Sequence, residues 1–145
     1  MHEVARTKWN QGLPIEDKAR EAQILKGLVG QSEKIQAHEG WITQFFQAQM
    51  DAAKEVQRSD FAVWEKGSVQ KFAEAIPLSG LRGYIDEVNR EMIDLLSQIH
   101  DPAKSDLILH YPISTRESDF IDKKVWDIAV SPWTYSQKEE TSNSK

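Results

Sequence analysis

A long amphipathic stretch in the middle of the chain constrains the fold more than any other feature of the sequence. Between about residues 40 and 66, apolar side chains recur at steps of three and four residues, the spacing at which they share one face of an α-helix. We therefore predict a long central helix that forms the spine of the fold. Its stripe comprises Ile42, Phe45, Phe46, Gln49, Ala53, Val56, Phe61 and Trp64.

Two more helices are predicted before this stretch. Residues 1–11 have helix-forming composition, and Gly12, Leu13 and Pro14 interrupt the pattern. Proline suits the first position of a helix because its missing N–H is not needed there, and the acidic residues that follow favour the positive end of the helix dipole. The second helix is therefore predicted from about Pro14 to Glu33.

The C-terminal half is predicted to contain one strong helix and one short helix. Apolar residues from Leu81 to Ile99 recur at steps of three, four and seven residues, and this pattern stops near Pro102. A short amphipathic helix is predicted over residues 119–130, whereas residues 107–112 are ambiguous. No segment alternates apolar and polar residues as strands do. The fold is therefore predicted to be all-α, a single-domain helical bundle.

The length and composition fit one compact domain. A chain of 145 residues with a hydrophobic fraction of 39% can bury a single core but has no room for a second catalytic domain. We predict a domain over residues 1–130 and a polar tail over residues 131–145.

Several classes of function are excluded by composition. A formal net charge of −5 provides no basic surface for nucleic acid or anionic lipid. The absence of cysteine excludes disulfides and thiolate metal sites, and the four histidines lack the spacing of a metal motif. No apolar run is long enough for a membrane span. We predict no metal, no cofactor, no nucleic acid and no membrane partner.

Two cations lie on either side of the break between the first two helices. Lys8 is near the end of the first helix and Arg20 is in the early turns of the second, so a tight corner brings them together. A guanidinium group offers a forked pair of donors and an ammonium group a point charge, which together suit a small dianion. The alternative is that Arg20 pairs with Glu16 at i,i+4 and that Lys8 is a solvated helix end.

Two other polar side chains lie beside apolar stripes. Gln57 follows Gln49 and Ala53 at steps of four residues, and an amide buried there needs a hydrogen-bond partner. Arg82 precedes Ile85 by three residues and adjoins the inward face of its helix. The alternatives are that Gln57 extends to water at the edge of the stripe and that Arg82 is an ordinary surface residue.

Taken together, these segments resemble the AroQ-type chorismate mutases, and specifically their secreted or periplasmic gamma subclass. The resemblance is strong over about residues 4–66 and weaker over residues 81–96. It is carried by V-A-x-x-K-W at Val4–Trp9, L-P-I-E-D-x-x-R-E at Leu13–Glu21, F-F-Q-A-Q-M-x-A-A-K-x-V-Q at Phe45–Gln57, the Phe61 and Trp64 pair, and L-R-x-x-I-D-x-x-N at Leu81–Asn89.

The resemblance implies an activity and its catalytic residues. Chorismate would rearrange to prephenate by a pericyclic reaction that needs no nucleophile, metal or proton shuttle. Lys8 and Gln57 would hydrogen-bond the ether oxygen, on which negative charge grows as the C–O bond breaks. Arg20 and Arg82 would neutralise the two carboxylates, with Arg82 coming from the same chain.

The resemblance also implies substrate-binding residues, an assembly and a location. Asp17 would hold the ring hydroxyl or organise the cations, and Glu21 would be a second hydroxyl partner. Ala53 stands where the family often has a hydroxyl residue, so that contact would be lost. A homodimer with a periplasmic or secreted location is expected, although the chain as given shows no signal peptide.

One departure from the family concerns the start of the first helix. The family has a further arginine about three turns before the lysine, but only seven residues precede Lys8. Arg6 is a poor substitute because residues two apart on a helix point to different sides. We therefore expect that the first helix is truncated in this sequence. Two rival hypotheses remain: a catalytically impaired binding or regulatory protein, and a structural helical bundle.

Overall fold

The computed structural model of the protein describes residues 1–104 and 122–134, in which the regular secondary structure is helical. The helices are α1 (His2–Gln11), α2 (Lys18–Gln31), α3 (Glu39–Lys66), α4 (Leu78–Ser97) and α5 (Lys123–Ala129), with a 3₁₀ turn at Pro102–Lys104. Residues 1–104 and 122–134 contain no β-strand. The predicted all-α fold is therefore confirmed.

The predicted central helix is confirmed as α3, which packs against α1, α2 and α5. His38 caps its start, since the Nδ1 atom of the imidazole accepts a 3.0 Å hydrogen bond from the Gly40 N–H. Its N-terminal half contributes Trp41, Ile42, Phe45 and Phe46 to the main core. α3 thereby gives the other helices a common surface on which to pack.

Trp133 completes the aromatic part of the main core. It meets Trp41 edge to face at 5.3 Å and Phe45 at 5.5 Å between ring centroids, and its indole N–H donates to the Pro102 carbonyl at 2.7 Å. The core thus includes residues of the predicted tail. Residues 135–145 of that tail lie outside the described residues.

A second aromatic cluster joins α1 to the C-terminal half of α3. The ring of Trp9 lies 5.0 Å from Phe61 and 5.7 Å from Trp64, and Phe72 extends the cluster with a 4.7 Å contact to Trp64. The Asn10 side chain also exchanges two hydrogen bonds with the backbone of Phe72. These contacts fix the end of α1, and with it Lys8, against α3.

The predicted start of α2 at Pro14 is wrong, because the helix begins at Lys18. α1 ends at Gln11 and is capped by Gly12, whose φ of 63° lies in the left-handed region that glycine adopts without strain. Asp17 then acts as the N-cap of α2, since its Oδ1 atom accepts a 3.0 Å hydrogen bond from the Arg20 N–H. Side-chain capping by Asp17 therefore sets the start, rather than the fixed φ of proline.

The strong helix predicted from Leu81 to Ile99 exists as α4, with different bounds and a narrower buried face than predicted. It begins at Leu78, three residues earlier than expected, and ends at Ser97. Ile93 and Leu96 are buried, whereas Leu95 is 62% exposed. The main helical neighbour of α4 among the described residues is α1, which covers only part of its apolar surface.

The structure describes only some of the residues on which the other predictions for the C-terminal half depend. The short helix is confirmed as α5, while residues 107–112 and 119–121 lie outside the described residues. No helix in the described ranges is long and apolar enough to span a membrane.

Candidate active site

Lys8 is held at the corner between α1 and α2. Its ammonium group is partly buried and donates a 2.7 Å hydrogen bond to the carbonyl oxygen of Ile15 in the connecting loop. Burial lowers the pKa of Lys8, an effect that the nearby carboxylates of Glu21 and Asp17 partly offset. The alternative of a solvated helix end is therefore wrong. An ammonium group short of hydration gains strongly from an anionic ligand.

Gln57 is buried in α3, contrary to the alternative in which it extends to water. The residue is 4% exposed, and its amide nitrogen donates a 3.2 Å hydrogen bond to the Ala53 carbonyl one turn earlier. Its carbonyl oxygen is buried without a hydrogen-bond partner among the described residues. Such an atom costs about 1–3 kcal/mol. Gln57 therefore holds an unused acceptor in the interior, and its amide nitrogen has a second N–H beside the one that donates to Ala53.

Arg20 lies in the first turn of α2 with its guanidinium group exposed. No ion pair or hydrogen bond to that group occurs within residues 1–104 and 122–134. The alternative pairing with Glu16 is wrong, because Glu16 forms a 2.5 Å ion pair with Arg58 of α3. The forked donors of Arg20 thus remain open to a ligand.

Arg82 brings a further cation towards this corner from α4. The residue is exposed, as its surface alternative requires, yet its charge acts on Lys8 and contributes to lowering the pKa of that lysine. The charges of Lys8 on α1 and Arg82 on α4 are therefore close enough to act on each other.

Lys54 is a charged residue of this region that the sequence analysis missed. It lies on α3, one turn before Gln57, and its ammonium group contacts Glu21 at 2.8 Å and Asp51 at 2.9 Å. Burial works to lower the pKa of Lys54, but the hydrogen bonds to the two carboxylates outweigh it and raise that pKa. The one signal in the sequence was a lysine directly after Ala53 on the helix that carries Gln57.

Glu21 uses both carboxylate oxygens. One oxygen accepts from Lys54, and the other accepts a 3.2 Å hydrogen bond from the backbone N–H of Asp17. Burial works to raise the pKa of Glu21, but the hydrogen bonds from Lys54 and Asp17 outweigh it and lower that pKa. The carboxylate is therefore held in its ionised form at the start of α2.

Arg6 is engaged away from this corner. Its guanidinium group pairs with Glu3 at 3.2 Å and lies over the ring of Phe72 at 5.1 Å. Arg6 is thus engaged by Glu3 and Phe72.

A crevice adjoins one side of the corner. It has a volume of about 560 Å³ and is lined mainly by apolar residues, among them Trp9, Leu13 and Phe61, with Lys8 at its edge. Neither Gln57 nor Arg20 lines it. The crevice therefore includes Lys8 but neither of these two candidate residues. Among the described residues, no group of histidine, aspartate and glutamate is arranged to hold a metal ion.

The sequence that forms the first three helices is similar to that of a known protein family. Residues 1–58 match the family model described as chorismate mutase type II. This range contains α1, α2 and most of α3, and with them Lys8, Arg20 and Gln57, whereas Arg82 lies beyond it.

Two curated relatives carry the same name, secreted chorismate mutase. That of Mycolicibacterium smegmatis is 29% identical over 116 residues, which cover 80% of this chain and 61% of the relative. That of Mycobacterium tuberculosis is 33% identical over 96 residues, which cover 66% of this chain and 47% of the relative. The chain thus spans about half to three fifths of the length of these relatives. The first 58 residues of the chain are therefore similar to the chorismate mutase type II family, and a longer region is similar to the two secreted chorismate mutases.

Proposed function

We propose that this protein is a chorismate mutase that converts chorismate to prephenate. The observation that carries the proposal is the arrangement of two donors on packed helices. Lys8 of α1 is a partly buried ammonium group with a lowered pKa, and Gln57 of α3 is a buried amide whose nitrogen has a second N–H beside the one that donates to Ala53. Both residues belong to the range that matches the family.

The chemistry needs what these two donors supply. In the rearrangement, the C–O bond of the enolpyruvyl ether breaks while a C–C bond forms to the ring, and no atom enters or leaves. Negative charge accumulates on the ether oxygen in the transition state. Donors fixed in a low-dielectric site stabilise that charge more than they stabilise the ground state. Lys8 can use its remaining two N–H groups for this, since Ile15 occupies one.

Arg20 and Arg82 would bind the two carboxylates of the substrate. The guanidinium group of Arg20 is open to a ligand, and the charge of Arg82 reaches the corner from α4. A planar guanidinium group matches a carboxylate through two parallel hydrogen bonds. Binding at both ends would fold the enolpyruvyl arm over the ring, which accelerates the reaction by orientation.

Asp17, Glu21 and Ala53 would complete the substrate site. Each carboxylate oxygen has two lone pairs, so Glu21 can accept the ring hydroxyl beside its present donors. Asp17 holds the first turn of α2, which carries Arg20. Ala53 offers no hydroxyl, but its carbonyl orients the amide of Gln57.

We propose further that the protein is secreted and forms a homodimer. The location is supported by the names of the two relatives. The dimer is supported by the exposed apolar side chains of Tyr84, Val88 and Leu95 along α4. Light scattering after gel filtration tests the assembly, and a monomer at all concentrations would contradict it.

A second candidate is a related protein that binds the substrate without rearranging it. Two observations favour it: Ala53 supplies no hydroxyl, and Arg6 is turned away to Glu3 and Phe72. A bicyclic dicarboxylate that mimics the transition state separates the candidates when combined with an assay of prephenate formation. The mimic should raise the melting temperature, because a ligand of the folded state stabilises it. Binding together with turnover supports the mutase, binding without turnover supports the second candidate, and no binding contradicts both.

A further inference from the structure

Lys54 is placed where an ordinary surface lysine would not be. Its side chain is 13% exposed, and it contacts carboxylates from two different helices, Glu21 of α2 and Asp51 of α3. Taking an ammonium group out of water is costly unless its hydrogen bonds are replaced. Two carboxylates replace them here, so the position of the ammonium group is closely defined.

The contacts of Lys54 continue into the first turn of α2. Glu21 receives the ammonium group on one oxygen and the Asp17 N–H on the other, while the Asp17 side chain receives the N–H of Arg20. A continuous set of hydrogen bonds therefore runs from α3, one turn before Gln57, to the residue that carries the open guanidinium group. This set fixes α2 relative to α3 at the site itself.

Lys54 also compensates a charge that a dianionic substrate would otherwise meet. The Glu21 side chain is 20% exposed, and an ionised carboxylate in so poorly solvated a place repels other anions strongly. With Lys54 beside it, the Glu21 carboxylate is neutralised as a pair, while its lone pairs remain available to a hydroxyl group.

We propose that Lys54 is a positioning residue of this active site: it holds the Glu21 carboxylate against α3, and through it the turn of α2 that carries Arg20. The inference rests on the proposed mutase activity and adds a residue to it. Lys54 acts through Glu21 and does not touch the substrate.

A second ion pair, between α3 and the loop that precedes α2, provides a matched control. Arg58 contacts Glu16 at 2.5 Å, but the two side chains are 44% and 49% exposed. Exposed pairs of this kind contribute little. Arg58→Met should therefore behave as the wild type, whereas Lys54→Met should not.

Steady-state kinetics on the full chain test the proposal. Lys54→Met should raise the KM for chorismate about tenfold or more with a smaller change in kcat, because it leaves the Glu21 carboxylate unpaired in the site. The double variant Lys54→Met, Glu21→Gln should have a KM close to that of Glu21→Gln alone, since the unpaired charge is gone. Lys54→Arg should keep most of the wild-type KM.

The pH dependence gives a readout that a merely structural role would not change. Removing Lys54 raises the pKa of Glu21, which Lys54 holds down in the wild type. As the pH falls, Glu21 in Lys54→Met should become protonated at a higher pH than Glu21 of the wild type, and its repulsion of the substrate should fade. The KM of that variant should therefore improve towards acid, while the KM of the wild type stays constant.

Hydrogen exchange of the α2 amides separates failure of this proposal from failure of the proposed function. The amides of Arg20 and Glu21 should exchange faster in Lys54→Met than in Arg58→Met, whether or not chorismate is turned over. If these amides exchange faster in Lys54→Met but the wild type does not turn over chorismate, the positioning role of Lys54 is supported and the proposed mutase activity is overturned. Unchanged exchange of these amides in Lys54→Met would overturn the positioning role. If the wild type is active, an unchanged KM in Lys54→Met would also overturn it. So would a KM of the double variant that reflects the summed effects of the two single variants.

Discussion

The Lys8 ammonium group donates a 2.7 Å hydrogen bond to the carbonyl oxygen of Ile15, and this contact closes the corner between α1 and α2. It turns a lysine near the end of a short helix into a partly buried cation that faces the start of the next helix. The same contact keeps Lys8 near Asp17 and Glu21, the carboxylates that partly offset the lowering of its pKa by burial. The corner thus prepares a cation for an anionic ligand before any ligand arrives.

Exchanging the Gln57 amide for a carboxyl group should change the pH dependence of turnover. The amide donates at any ordinary pH, so the wild-type profile should be flat from mildly acidic to neutral conditions. A glutamic acid side chain donates a hydrogen bond only while it is protonated, and an unperturbed one has a pKa of about 4.3. Burial would raise the pKa of the new carboxyl group and move the loss of activity to higher pH, but activity should still fall as the pH rises.

Gln49→Glu is the control for that measurement. Gln49 is also an α3 amide, but it donates to the Ala129 carbonyl at 2.8 Å, away from the corner. Its variant should keep a flat profile of activity against pH. A flat profile for Gln57→Glu as well would show that Gln57 is not the donor to the ether oxygen.

Arg82→Ala should lower kcat/KM for chorismate about 100-fold, because a fixed cation is then missing from the transition-state complex. Arg90→Ala is the matched control, since Arg90 is an exposed arginine of the same helix that bonds only to the Asp86 carbonyl among the described residues. Circular dichroism should show the same helical content for both. Equal values of kcat/KM for the two variants would show that Arg82 is an ordinary surface residue.

Loss of the Asp17 cap should destabilise the protein. Asp17→Ala removes the acceptor of the Arg20 N–H and should lower the free energy of unfolding by about 1 kcal/mol in urea denaturation. Asp17→Asn keeps a capping oxygen and should retain most of that stability. If both variants lost the same amount, the negative charge of Asp17 rather than its cap would set the stability of this turn.

Trp133 should prove to be part of the folded core. Trp133→Ala removes the ring that packs on Trp41 and Phe45, together with the bond to Pro102, and should cost about 3–5 kcal/mol of unfolding free energy. Thr134→Ala alters the exposed neighbour and should stay within about 0.5 kcal/mol of the wild type. A small loss for Trp133→Ala would place the end of the core before this residue.

Much of the fold follows from periodicity, because apolar spacing determines which face of a helix is buried. It located α3 and its core residues Phe45 and Phe46. It did not locate the start of α2, where the Asp17 side chain competes with the preference of Pro14 for a first turn. It also overstated the buried face of α4, since the packing partner of a helix decides how much of an apolar stripe is covered, and Leu95 is left exposed.

The candidate site was proposed from motif resemblance and much less from spacing. Local pattern favoured a surface pairing for Arg20 and a solvated end for Lys8, and both of these alternatives fail because they ignore contacts across the corner. Neither spacing nor resemblance assigned a role to Lys54, although the motif at Phe45–Gln57 contains it. Its two carboxylate partners lie on different helices, and only one of them, Asp51, is near it in sequence.

Turnover of chorismate by the wild type, Lys8→Ala and Lys26→Ala, beside the uncatalysed rate in the same buffer, tests the central claim most directly. Lys26 is an exposed lysine of α2 and serves as the control for loss of a positive charge. The wild type and Lys26→Ala should both form prephenate well above the uncatalysed rate. Lys8→Ala should be at least about 100-fold slower with unchanged helical content. No prephenate above background from the wild type, or near-normal turnover by Lys8→Ala, would contradict the proposed function or its site.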